Sequence, residues 1–202
     1  SRDNGETWES FPGTPDKYHN GAIAVSATDA DHWLWAPEND YWDPVYLPVY
    51  TTDAGTTWQP STGLPSAFNG VSHMWSANQF ICADRVDGKL FYYYCHYDGQ
   101  EWDGFLYRSE DGGASFTLAS RELETQTHVK IEAVPGKQGH LFAAFAGGKG
   151  LYFSSDKGTS FSLVDGVDSC DIFAFGAPIG ASQEPTIFIA GVVGGERSVF
   201  RS

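Results

Sequence analysis

The sequence predicts an all-β protein of repeated four-stranded antiparallel units, and three observations carry that prediction. An eight-residue pattern occurs four times, its copies lie roughly 50 residues apart, and Gly and Pro clusters separate short aromatic-rich apolar runs between them. The pattern is a small hydroxyl residue, any residue, Asp, any residue, Gly, two further residues and a bulky aromatic. It stands at Ser1–Trp8, Thr51–Trp58, Ser109–Phe116 and Ser154–Phe161. Its key positions are thus Asp3, Gly5 and Trp8; Asp53, Gly55 and Trp58; Asp111, Gly113 and Phe116; and Asp156, Gly158 and Phe161.

A tight hairpin turn explains the pattern. The Asp carboxylate accepts hydrogen bonds from backbone N–H groups two or three residues on. The Gly takes a positive-φ position that other residues reach only at a cost. The aromatic then opens the next strand and packs into the core. Asp3-Asn4-Gly5 and Asp111-Gly112-Gly113 faintly resemble calcium loops, but the further oxygen ligands and closing Glu of such loops are absent. The turns are therefore expected to be structural, with no metal and no cofactor.

Taken in order, residues 1–12 hold the first turn and one strand. Ala22–Val25, Trp33–Trp35, Val49–Thr51 and a strand from Trp58 form the first full unit, with a long loop from Pro37 to Pro48 between its second and third strands. The second unit has Phe80–Ala83, Leu90–Tyr94, a loop from His96 to Gly104, Phe105–Arg108 and Phe116–Leu118. The third has Val129–Ala133, Leu141–Phe145, a glycine loop at Gly147–Gly150, Leu151–Phe153 and Phe161–Leu163. The last has Ile172–Phe175, Ile187–Ala190 and Val199–Arg201. The repeats thus run over 1–12, 21–62, 72–122, 128–166 and an incomplete 170–202. Four-stranded units of this period with an aromatic signature are β-propeller blades, about four of them here. No window sustains a helical period.

Ser202 holds the repeat position of Ser1, so residues 1–12 match the outer strand that the last unit lacks. Two arrangements follow: a segment of a larger propeller, or four blades closed by the N-terminal strand. The absence of an initial Met, with a start inside a repeat, favours the segment.

With 26 acidic against 12 basic residues the net charge is −14, which argues against nucleic acid or an anionic membrane as partner. No apolar run is long enough for membrane insertion, and no signal-peptide pattern is present. Cys82, Cys95 and Cys170 are odd in number and widely spaced, so three buried free thiols are expected rather than a disulfide framework or a zinc site.

Strand parity sets which loops share a face. The Asp turns join third and fourth strands and lie with the turns joining first and second strands. The loops between second and third strands, 37–48 and 96–104, share the opposite face with the inter-blade segments around Tyr18-His19-Asn20 and His73-Met74-Trp75. That face carries Tyr41, Trp42, Asp43, Trp75, Tyr97 and Trp102. Flat rings beside carboxylates suit sugars, which stack their apolar C–H faces and hydrogen-bond through hydroxyls. These residues, with Trp35, are the candidate substrate-binding set. Packed-down aromatics and solvated acids are the plain alternative. No G-x-S-x-G is present, and the histidines lack metal-ligand spacing. His73 and His128 near blade junctions read as structural.

The repeated turn resembles the Asp-box, or BNR repeat, of sialidases, sortilin-like receptors and several glycoside hydrolases. Sialidases are disfavoured because the F/Y-R-I-P motif and arginine triad have no match. Trp35-Ala36-Pro37, Ala83-Asp84-Arg85-Val86 with Lys89 and Phe91-Tyr92-Tyr93, Ala133–Gly139, Phe175-Gly176-Ala177-Pro178, Gly180-Ala181 to Pro185 and Val199–Ser202 follow in order. Together they resemble the second propeller of glycoside hydrolase family 74, the xyloglucanases. That resemblance implies two seven-bladed propellers with a cleft between them and an inverting mechanism using one Asp from each. Both catalytic Asp residues then lie upstream, so no catalytic residue is assigned here. It also implies a secreted enzyme, a polysaccharide or oligosaccharide partner, and a larger polypeptide contributing the second propeller. The Tyr-rich stretch at 92–104 departs from the family pattern. The rival function is a non-catalytic Asp-box module for carbohydrate or protein binding or for filament assembly.

Overall fold

A computed structural model describes residues 4–11, 13, 21–37, 46–65, 79–97, 100–126 and 128–202, and of Tyr97 the backbone alone. The described residues form β-strands and turns, with no helix. The first sheet contains β1 (Gly21–Val25), β2 (Trp33–Pro37), β3 (Val49–Thr51) and β4 (Gln59–Pro60). The second contains β5 (Ile81–Ala83), β6 (Phe91–Tyr97), β7 (Trp102–Ser109) and β8 (Thr117–Leu123). The third contains β9 (Val129–Ala133), β10 (Leu141–Phe145), β11 (Tyr152–Ser154) and β12 (Ser162–Leu163). The fourth contains β13 (Val167–Gly176), β14 (Thr186–Val193) and β15 (Glu196–Arg201). Each sheet is an antiparallel meander in chain order.

The sheets stand side by side as propeller blades. Inner strand β1 packs beside β5, and β5 beside β9, while β13 meets β10. Parallel bridges at Thr62–Ser115, Gln79–Lys130 and Gly150–Ser169 stitch successive sheets together. Covered on both faces, β6 and β10 are apolar along their length: Phe91 to Cys95 and Leu141 to Phe145 are all buried. Burial of the larger apolar side chains among them, Phe91, Leu141 and Phe145, contributes about 1.5–3 kcal/mol each, which is why these runs set the strand positions. One cluster spans the first three sheets. A second joins the third to the fourth through Val134, Phe142, Leu151, Cys170, Phe173 and Ile189.

Several expectations need correction. The stretch 96–104 is mostly strand: β6 runs to Tyr97, β7 starts at Trp102, and Tyr97 pairs with Trp102 across a bulged hairpin. Residues 7–11 carry no strand assignment. Trp8 is 83% exposed rather than packed into the core; its Nε1–H donates to Gly5 O at 3.1 Å. Phe11 instead meets Trp33 edge-on, with centroids 4.3 Å apart.

Candidate functional site

The Asp turn works differently in detail from the simple turn chemistry expected of it. In the three fully described copies the opening hydroxyl donates to the Asp Oδ1: Thr51 to Asp53 at 2.8 Å, Ser109 to Asp111 at 2.7 Å and Ser154 to Asp156 at 2.8 Å. That hydroxyl also accepts the Gly N–H, from Gly55, Gly113 and Gly158. The carboxylate's main backbone donor lies four residues on, at Thr57, Ser115 or Ser160, and the hydroxyl of that residue donates to Oδ2. Asp156 also takes an N–H three residues on, from Thr159 at 3.1 Å.

Both carboxylate oxygens are thereby occupied within the turn. The Ser160 N–H above all, with the hydroxyls of Ser160 and Ser154, holds Asp156 down at about 2 despite partial desolvation. Asp53 is lowered chiefly by the Thr57 N–H. For Asp111, burial acts upward but the Ser115 hydroxyl and N–H outweigh it. A metal would have to displace these donors. Among the described residues no group of three His, Cys, Asp or Glu side chains is placed to hold one.

The Gly has a second reason beyond its φ of 74–90° in these copies. A Cβ on Gly158 would collide with Leu106 of the preceding sheet, and one on Gly113 would lie 3.0 Å from Leu34 Cδ1. The residue before the Gly is left-handed too, at Ala54 (55°) and Lys157 (59°). Its N–H is needed: Ala54, Gly112 and Lys157 donate to the carbonyls of Asp31, Lys89 and Gly139. Those carbonyls belong to the turns joining first and second strands, so the two turn sets share one face.

The opposite face is built by the ends of β2, β6, β10 and β14. Tyr41, Trp42, Asp43 and Trp75 lie outside the described residues. Trp35 sits within β2, half-buried and edge-on to Trp58 at 5.9 Å, paired across the sheet with Ile23 and Val49. Trp102 stands at the start of β7, 63% exposed, its ring 5.1 Å from that of buried His96 and tilted by 33°. Beside it, Glu101 accepts from Arg121 at 3.1 Å, and the Arg121 guanidinium lies 4.9 Å over the Phe105 ring.

A hub that sequence reasoning missed lies below. Glu124 Oε1 accepts the Lys149 N–H at 2.6 Å and the Tyr152 hydroxyl at 2.9 Å, while the Tyr94 hydroxyl donates to the Glu124 carbonyl at 2.6 Å. Burial and the bond to Glu124 push Tyr152 up to about 12. The hub pins the linker after β8 to the glycine connection 146–150. A Glu eight residues after the Asp-turn aromatic Phe116 carries no signal that would single it out.

The described residues also line clefts on other parts of the surface. One of about 520 Å³ is lined by Trp8, Phe11, Ala30 and Trp33, and one of about 390 Å³ by Val134, His140, Phe142, Phe153, Phe175 and Ile187. Both open on the side of the Asp turns. Among the inner strands, Ile23, Val25, Gln79, Arg85 and Glu132 surround about 260 Å³. The three cysteines are free and buried, as expected, and burial pushes Cys170 up to about 12.

Comparison with known proteins adds to this geometry. The profile of the BNR/Asp-box repeat matches residues 49–60. The xyloglucanase Xgh74A of Acetivibrio thermocellus is 32% identical over 203 residues, covering 100% of this chain and 21% of that protein. A xyloglucanase of a Paenibacillus species is 27% identical, covering 100% of this chain and 18% of its own length. The crystal structure of a GH74 xyloglucanase from Xanthomonas campestris superposes with a TM-score of 0.72 at 28% identity, covering 100% of this chain and 26% of that one. The chain thus spans about a fifth of the curated relatives it matches, 21% and 18% of their lengths.

Proposed function

Starting from a chain that is a xyloglucanase-like segment of glycoside hydrolase family 74, we propose that it lines the substrate cleft of a secreted hydrolase acting on a β-1,4-glucan, xyloglucan first. The observation that carries this reading is similarity along the whole chain to a xyloglucanase, at 32% identity, rather than at the repeated turns alone. The division of the fold supports it. The Asp-turn carboxylates are consumed in hydrogen bonds of their own turns, so chemistry belongs to the other face. There the chain offers an exposed indole, carboxylates and amides, which bind and orient a sugar without reacting with it.

In this reading the chain supplies no acid/base pair, and the catalytic Asp residues belong to other parts of the polypeptide. Its contribution is binding energy: Trp102, with Tyr41, Trp42, Asp43, Trp75 and Tyr97, stacks and hydrogen-bonds the glucan. Sugar contacts remote from the scissile bond hold the chain in register, which lowers the barrier when the positioned geometry matches the transition state.

The test is incubation of the polypeptide that carries this chain with tamarind-type xyloglucan, counting new reducing ends. Their release supports the reading. Binding of xyloglucan with no release favours the non-catalytic Asp-box module, and neither binding nor release overturns both.

A further inference from the structure

The tip of the third sheet is held by its neighbours more than by its own strands. Pairing between β10 and β11 ends at Ala143 and Tyr152, and residues 146–151 lie beyond both strands. Gly148 N–H closes a turn onto the Phe145 carbonyl at 2.8 Å. The amides around it reach outward. Ala146 donates to the His128 carbonyl at 3.1 Å and Lys149 to Glu124 Oε1 at 2.6 Å, both acceptors standing between β8 and β9. Gly147 donates to Asp171 Oδ1 at 3.4 Å and Gly150 to the Asp168 carbonyl at 3.0 Å, both acceptors in β13 of the fourth sheet.

Little apolar packing fixes residues 147–149. A Cβ on Gly147 would meet nothing within 4 Å, and one on Gly148 would meet the Glu124 carboxylate and Phe145 Cβ. Lys149 is exposed. Glycine carries the most backbone freedom to lose, so two carboxylates from different sheets do the holding. Each is itself braced: Glu124 Oε1 also accepts the Tyr152 hydroxyl at 2.9 Å, and Asp171 Oδ2 accepts from Arg197 at 2.7 Å. The apolar core is divided at this place, one cluster spanning the first three sheets and another joining the third to the fourth. The tip is a polar link across that division.

We propose that residues 147–149 form a latch, held shut by Glu124 from one side and Asp171 from the other, whose release loosens the docking of the fourth sheet on the third. Opening costs two charge-assisted hydrogen bonds and uncovers almost no apolar surface, which places the tip among the segments that open locally. Release travels to the fourth sheet because Gly150, at the end of the latch, bridges to Ser169 and donates to Asp168. The latch stands apart from the glucan reading, since it follows from contacts within this chain.

Amide hydrogen exchange resolved by residue tests it on the 202-residue chain. Glu124→Ala is expected to speed exchange at Gly147 and Lys149 about tenfold and across 168–171 about threefold, with 154–161 at the other end of the same sheet unchanged. Glu124→Gln keeps an acceptor oxygen and should change the tip less than about threefold. Tyr152→Phe removes a hydroxyl but no latch bond and should leave 168–171 as it was. Asp171→Ala should release the same residues from the other side, and the double variant should exceed neither single change, because both act on one latch. Acceleration confined to Lys149, acceleration spread evenly over the third sheet, or additive effects of the two alanines would each overturn the latch.

Discussion

Position seven of the Asp turn is a hydroxyl residue in every copy, Thr7, Thr57, Ser115 and Ser160. In the three fully described turns its N–H and O–H both reach the Asp carboxylate. These donors favour the ionised carboxylate, so Asp156 lies at about 2 when folded against 3.8 ordinarily. A lowered folded value contributes stability above the unfolded pKa, and that contribution is lost as pH falls from 3.8 through about 2. Acid titration followed by circular dichroism should show this loss, and Asp156→Asn should remove part of the slope while lowering stability at neutral pH. An unchanged acid limb would contradict the assignment. The hydroxyl at position seven recurs in the sequence, but its bond to the carboxylate follows only from the geometry of the turn. The left-handed φ of Ala54 and Lys157 was not legible, because neither residue type advertises that conformation.

Between elements, the turns that join first and second strands do more than reverse the chain. Asp84 is fully buried after β5; its Oδ1 accepts the N–H groups of Val86 and Asp87 at 2.8 and 2.7 Å, and its Oδ2 accepts Gly139 N–H of the next sheet at 2.7 Å. Asp84→Ala would leave three backbone donors short of a partner. It should cost about 3 kcal/mol in urea unfolding, and a cost within error of zero would show that water replaces the carboxylate freely. At this scale the apolar runs told most of the story: Val49–Thr51, Val129–Ala133 and Leu141–Phe145 match their strands residue for residue. The β6–β7 hairpin was not legible. Asp98-Gly99-Gln100 reads as a loop, and nothing in composition shows that Tyr97 and Trp102 pair across it. The same limit hid Glu124, whose role arises only when the third sheet brings Lys149 and Tyr152 to it.

At the scale of the whole molecule, the two ends of the blades differ in what they are built from. One end of each of the first three blades is closed by an Asp turn whose polar groups face inward on themselves, and successive blades are bolted there: His32 Nε2 donates to Gly112 O at 2.6 Å and Arg108 to Lys157 O at 3.0 Å. The other end is free to vary in length from blade to blade, from the eleven residues at 38–48 to the two-residue turn Gly194-Gly195 between β14 and β15. Repetition made the blade architecture readable from sequence, because four copies of one turn constrain the strands between them. It could not reveal which variable loops meet across the face, since that depends on blade height and spacing. The central claim is that the glucan lies on the variable face and not on the Asp turns. Hydrogen–deuterium exchange with and without xylogluco-oligosaccharide tests it most directly. The account predicts slowed exchange in 38–48, 98–101 and 146–150, with 51–58, 109–116 and 154–161 unchanged; protection confined to the Asp turns would contradict it.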